Sequence, residues 1–86
     1  MESDVTILNK IHNNPGIAKK YIGYEGIVKE LILTKYVEDF INTGLYTPDI
    51  IFEIREYIDY ALEEELYENI VLLNDVIKSL EQLYYG

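Results

Sequence analysis

The sequence predicts an all-α fold: a small four- to five-helix bundle in a single domain, residues 1–86, ending in a long C-terminal helix or a helical hairpin. Three observations carry this. From Asp49 to Tyr85 there is no glycine or proline, and Ile51, Ile54, Ile58, Leu62, Leu66, Ile70, Leu73, Ile77, Leu80 and Tyr84 step by three or four. Thr47, Pro48 and Asp49 form a helix start, with threonine as N-cap, proline where its missing N–H has no partner, and an acid at the positive helix end. Finally, 49% of the residues are hydrophobic and none is cysteine, so the core must be packed without disulfide staples. A chain of this length buries only roughly 60% of its unfolded surface, which demands an apolar-rich core.

Taken in order, Ser3 or Asp4 can cap a first helix running to about Asn13, with Val5, Leu8 and Ile11 on one face. Asn13, Asn14, Pro15 and Gly16 read as a turn. Ile17 to Tyr24 supplies one or two helical turns, because Gly23 and Gly26 weaken anything longer. Ile27 to Asn42 is a third helix, closed by Gly44. Its apolar residues change sides: Ile27, Val28, Leu31 and Ile32 lie on one face, and Leu33, Tyr36, Val37, Phe40 and Ile41 lie opposite. A helix touching different neighbours with each half would do this, as would a short strand at Leu31 to Tyr36. The helix is preferred, since no pairing strand is evident.

One helix from Pro48 to Tyr84 would be roughly 55 Å long, against a radius of gyration near 12 Å for a compact chain of this size. Either the helix turns back near Glu63 to Glu68, or two chains pair along it; the turn is preferred. The stretch Ala61 to Leu73, ALEEELYENIVLL, resembles the helix-turn-helix junction of tetratricopeptide-type hairpins, with Tyr67 opening the second helix, although the usual small turn residue is missing. The expected core is Leu8, Ile11, Val28, Phe40, Ile54, Ile58, Leu62, Ile70, Leu73, Ile77 and Leu80.

Charge is distributed unevenly. Met1 to Thr47 balances at −1, whereas Pro48 to Gly86 carries ten acids against Arg55 and Lys78, a balance of −8. Such a surface repels nucleic acid and anionic membrane and attracts basic partners. The N-terminal residues Met1 to Asp4 carry no basic stretch, and no apolar run approaches the roughly 18 residues of a membrane span, so a cytoplasmic location is expected.

Catalysis is poorly supplied. His12 is the single histidine and there is no cysteine, so triads, thiolate zinc sites and histidine-bearing di-iron sites have no donors. No glycine-rich loop precedes a helix. The expectation is a protein that is not an enzyme, with no cofactor, no metal and no direct contact with nucleic acid.

The candidate binding surface lies on the fourth helix. At 100° per residue, Asp49, Phe52, Glu53, Glu56, Asp59, Tyr60, Glu63 and Glu64 group opposite Ile50, Ile51, Ile54, Ile58, Ala61 and Leu62. An aromatic among carboxylates supplies an anchor with steering charge around it, unless Phe52 packs under a neighbouring helix or the Gly44 to Thr47 loop. Nine tyrosines add contact area with polar tips, and Tyr84 and Tyr85 are the pair least suited to full burial. In size, helicity, acidity and tyrosine content the chain is similar to the helical immunity proteins of nuclease bacteriocins. The resemblance is compositional and transfers no residues. The expected function is to bind and mask a basic protein partner, as an immunity-type or phage- or plasmid-encoded inhibitor does. The alternative is a self-associating subunit that dimerises through its C-terminal helices.

Overall fold

A computed structural model describes residues 2–86; Met1, counted above with the N-terminal segment, lies outside the described residues. Five helices follow in chain order: α1 (Asp4–His12), α2 (Pro15–Gly23), α3 (Ile27–Ile41), α4 (Thr47–Glu63) and α5 (Tyr67–Tyr85). There is no strand among the described residues, so the alternative strand at Leu31 to Tyr36 is helix.

Ser3 caps α1, its Oγ accepting the Thr6 N–H at 3.1 Å. Ile7, Leu8 and Ile11 turn into the core, while Val5 is exposed. Val5 stands more than about 100° from the centre of that buried set, which removes it from the expected face. The turn that follows is shorter than the sequence suggests. Pro15 opens α2 instead of closing α1, because a proline in the first turn loses no hydrogen bond, and Gly16 is already helical. Ala18 and Tyr21 are the buried residues of α2.

In α3 the fully buried residues, Tyr36, Val37 and Phe40, all lie in the second half, with Ile32 and Leu33 packed partly against the core before them. Ile27 and Leu31 face outward, and Val28, expected in the core, is 41% exposed. No helix lies over the first half of α3 on that side. The exit of α3 is closed by Thr43, whose hydroxyl donates to the Phe40 carbonyl at 2.7 Å and accepts the Leu45 N–H at 3.2 Å. Gly44 then takes φ +73°, the left-handed conformation glycine adopts without strain.

Thr47 is not the cap of α4. The capping backbone is Tyr46, extended at ψ 125°, and its carbonyl accepts from Asp49 N–H at 3.0 Å and Ile50 N–H at 3.1 Å. Ile50, Ile51, Ile54 and Ala61 are buried and Ile58 packs partly against them, whereas Leu62 is 57% exposed. Leu62 lies at the margin of the buried stripe, in the last turn before the chain reverses.

The reversal answers the length problem. The Leu66 N–H donates to the Ala61 carbonyl at 2.8 Å and the Glu65 N–H to the Leu62 carbonyl at 3.2 Å, a Schellman closure with Glu65 at φ +59°. Glu65 therefore fills the position usually held by the small residue the sequence lacks. Tyr67 opens α5, which packs against α2, α3 and α4. Leu72, Leu73, Val76 and Leu80 are fully buried, with Ile77 beside them; Ile70 is only half-buried, because Asn69 takes the inward position next to it. The buried side chains of all five helices form one core, and the Cα radius of gyration is 12.0 Å.

Candidate functional site

Ile54 and Ala61 point α4 into the core, so the opposite side of the helix faces solvent. Phe52 sits on that side and is 60% exposed; neither a neighbouring helix nor the Gly44 to Thr47 loop covers it. Around it, Asp49, Glu56, Asp59 and Glu63 are exposed and Glu53 is half-buried. Phe52, these five acids and Tyr60 thus share one helix and one broad face.

The ion pairs among the described residues are Lys10–Glu2, Lys35–Asp39 at 2.9 Å and Arg55–Glu81 at 3.5 Å. None takes a carboxylate from the candidate face. The one cation of α4, Arg55, leans away toward α5. The field over Phe52 is therefore not neutralised by the protein's own bases.

Tyr60 differs from Phe52 in being supported from below. Its ring lies 5.8 Å from the His12 ring and 6.0 Å from that of Tyr57, so one edge is held while the other meets solvent. Behind it runs a polar network that joins three helices. Asn69 Nδ2 on α5 donates to the Tyr57 hydroxyl at 3.1 Å, and that hydroxyl lies 2.9 Å from His12 Nδ1 on α1. The Tyr57 hydroxyl thus bridges Asn69 of α5 and His12 of α1. Burial raises the Tyr57 pKa, opposed by the Asn69 hydrogen bond. The histidine is thus a structural linker behind the face.

Sequence reasoning missed two tyrosine contacts. Tyr21, buried in α2, donates to Asp75 of α5 at 2.5 Å, and its pKa is driven well above the ordinary range by burial first and the Asp75 carboxylate second. At the other end, the Tyr84 hydroxyl donates to that of Tyr46 at 2.8 Å, and Tyr85 stacks edge-on to Tyr84 at 4.8 Å. This exposed cluster braces the start of α4 against the end of α5. Its signal in the sequence was only the terminal tyrosine pair, since Tyr46 is 38 residues away.

No group of three or more His, Asp or Glu side chains placed to hold a metal ion occurs among the described residues, and none of their helices is long and apolar enough to cross a membrane. An open depression of about 590 Å³ lies between α1, α2 and α3, lined by Asn9, Lys10, Asn13, Ile17, Lys35 and Tyr36. It holds no nucleophile paired with a base. Comparison with known proteins gives no family model, no curated protein and no solved structure that matches the chain.

Proposed function

We propose that the protein is a non-catalytic binder that masks a basic surface on a protein partner, as an inhibitor of immunity type does, through the outward face of α4. The observation that carries this reading is Phe52: a large aromatic, uncovered, among carboxylates that pair with no base among the described residues. Leaving an apolar ring in water is unfavourable by roughly 2 kcal/mol relative to burying it, so a partner that covers Phe52 gains that contact. Asp49, Glu53, Glu56, Asp59 and Glu63 steer a cationic surface toward it and reject anionic ones, nucleic acid included. Tyr60, braced by His12 and Tyr57, adds a second contact at low entropic loss because its ring is already held.

The reading predicts a cytoplasmic protein that captures a basic protein, with capture falling as salt rises from low to moderate concentration. Affinity capture with the folded chain tests it. A basic protein retained at low salt and lost at moderate salt is the expected result. Retention of neutral or acidic proteins without salt dependence would contradict it.

A further inference from the structure

In a chain that carries −9, one hollow is lined by cations. It is the depression of about 590 Å³ whose lining comes from α1, the turn after it, α2 and α3. Lys10 of α1 and Lys35 of α3 stand on its walls, and among the described residues no aspartate or glutamate lines it. Asn9, Asn13 and Asn14 add three carboxamides, each able to donate and to accept. The Asn14 side chain makes no capping bond to α2, so the helix start does not consume it. Ile17 and Tyr36 supply apolar surface, with Lys35 Nζ 4.9 Å from the centre of the Tyr36 ring.

Each lysine already meets a carboxylate, Lys10 that of Glu2 and Lys35 that of Asp39 at 2.9 Å. Both pairs are open to water, and such pairs hold weakly. Glu2 precedes α1, so it leaves Lys10 without breaking a helix. Glu2 and Asp39 line a separate, smaller hollow, and their departure therefore costs the depression none of its walls.

We infer that this depression binds a small organic phosphate, a monoester of roughly mononucleotide size, for which a hollow of this volume has room. A phosphate dianion matches the two lysines in charge, and lysine meets phosphate as a point charge on a flexible stem that adjusts its reach. One doubly charged group thereby replaces two weak, singly charged contacts. The carboxamides meet hydroxyl and ring-edge groups of the organic part, and Ile17 and Tyr36 receive its less polar face. Charge also selects a small ligand over a nucleic-acid strand. A polyanion long enough to pass the acids of α4 and α5 is repelled by them, whereas a single phosphate feels chiefly the charges within about 8 Å at physiological salt. The inference does not depend on what α4 binds.

Titration of the full chain with adenosine 5′-monophosphate and with ribose 5-phosphate, followed by NMR of the backbone amides and the asparagine carboxamides, tests it. Saturable shifts centred on Asn9, Asn13 and Lys35 are expected, with a dissociation constant at or below about 1 mM for at least one of the two probes. Adenosine, which lacks the phosphate, should bind at least about tenfold more weakly than its monophosphate. Lys10→Ala with Lys35→Ala should weaken binding by about tenfold or more with circular dichroism unchanged, since both side chains are exposed. Lys19→Ala with Lys20→Ala, outside the depression, should leave it as it is, and Glu2→Gln should tighten it by removing a competing carboxylate. Saturation by neither probe at about 10 mM, adenosine binding as well as its monophosphate, or a Lys10 and Lys35 variant that binds like the wild type would each overturn the inference. An equal loss on removing Lys19 and Lys20 would overturn it too, because it would show diffuse attraction in place of a site.

Discussion

The Tyr21 hydroxyl of α2 donates to the Asp75 carboxylate of α5 at 2.5 Å, and it does so from a ring that is almost wholly buried. Burial of the ring first, and then its hydrogen bond to Asp75 and that carboxylate's charge, hold the phenol's pKa above the usual value of 10.0. A raised folded-state pKa contributes stability that is fully present below the unfolded value and is lost as pH rises above it. Stability should therefore not vary with pH through Tyr21 near pH 8 and should fall above about pH 10. In Tyr21→Phe the alkaline loss should shrink, with a neutral-pH penalty of about 1 to 2 kcal/mol for the missing hydrogen bond. Denaturant midpoints across pH 7 to 11 check both limbs.

Glu65 is held at φ +59°, a conformation that is unfavourable for a residue with a β-carbon. Glu65→Gly should raise stability by about 0.5 to 1 kcal/mol, since glycine enters this conformation freely and the closing hydrogen bonds are made by the backbone. An unchanged or lower midpoint would mean that the glutamate side chain makes a compensating contact at the turn.

Core positions separate sharply from look-alikes on the same helices. Ile54→Ala and Leu73→Ala should each cost about 2 to 5 kcal/mol, as both side chains are fully buried. Leu62→Ala and Val28→Ala, at exposed positions, should stay within about 0.5 kcal/mol. Urea titrations of the four variants test the burial pattern directly.

Helix starts give a similar contrast. Ser3→Ala removes the hydroxyl that accepts the Thr6 N–H and should cost about 0.5 to 2 kcal/mol, whereas Thr47→Ala should stay within about 0.5 kcal/mol because Tyr46 holds the capping position of α4.

Most of the helical architecture was legible in the sequence, for reasons visible at particular residues. The uninterrupted three-and-four spacing after Pro48 announced α4 and α5, and the length of that run left a reversal near Glu63 to Glu68 or the pairing of two chains, of which the reversal was preferred and is present. Gly44 marked the end of α3 because its positive φ is a backbone requirement. What could not be read was which apolar residues the other helices reach. Val28 and Leu62 fit the helical period as well as Val37 and Ile54 do, and only the placement of neighbouring helices leaves them in water. The same holds for Thr47, a good capping residue one position inside the helix. On the candidate face, periodicity separated Phe52 from the core, but whether anything covered it depended on the path of the Gly44 to Thr47 loop. The His12–Tyr57–Asn69 network spans 57 residues of chain and has no local signature.

The central claim, that α4 presents Phe52 and its surrounding acids to a basic partner, is tested most directly by dissociation kinetics on the captured protein. Phe52→Ala should release it at least ten times faster than the wild type, with association little changed, because the ring contributes short-range contact. Glu56→Lys with Glu63→Lys should instead slow association and flatten its salt dependence. Identical association and dissociation rates for the wild type and both variants, each still folded by circular dichroism, would contradict the account.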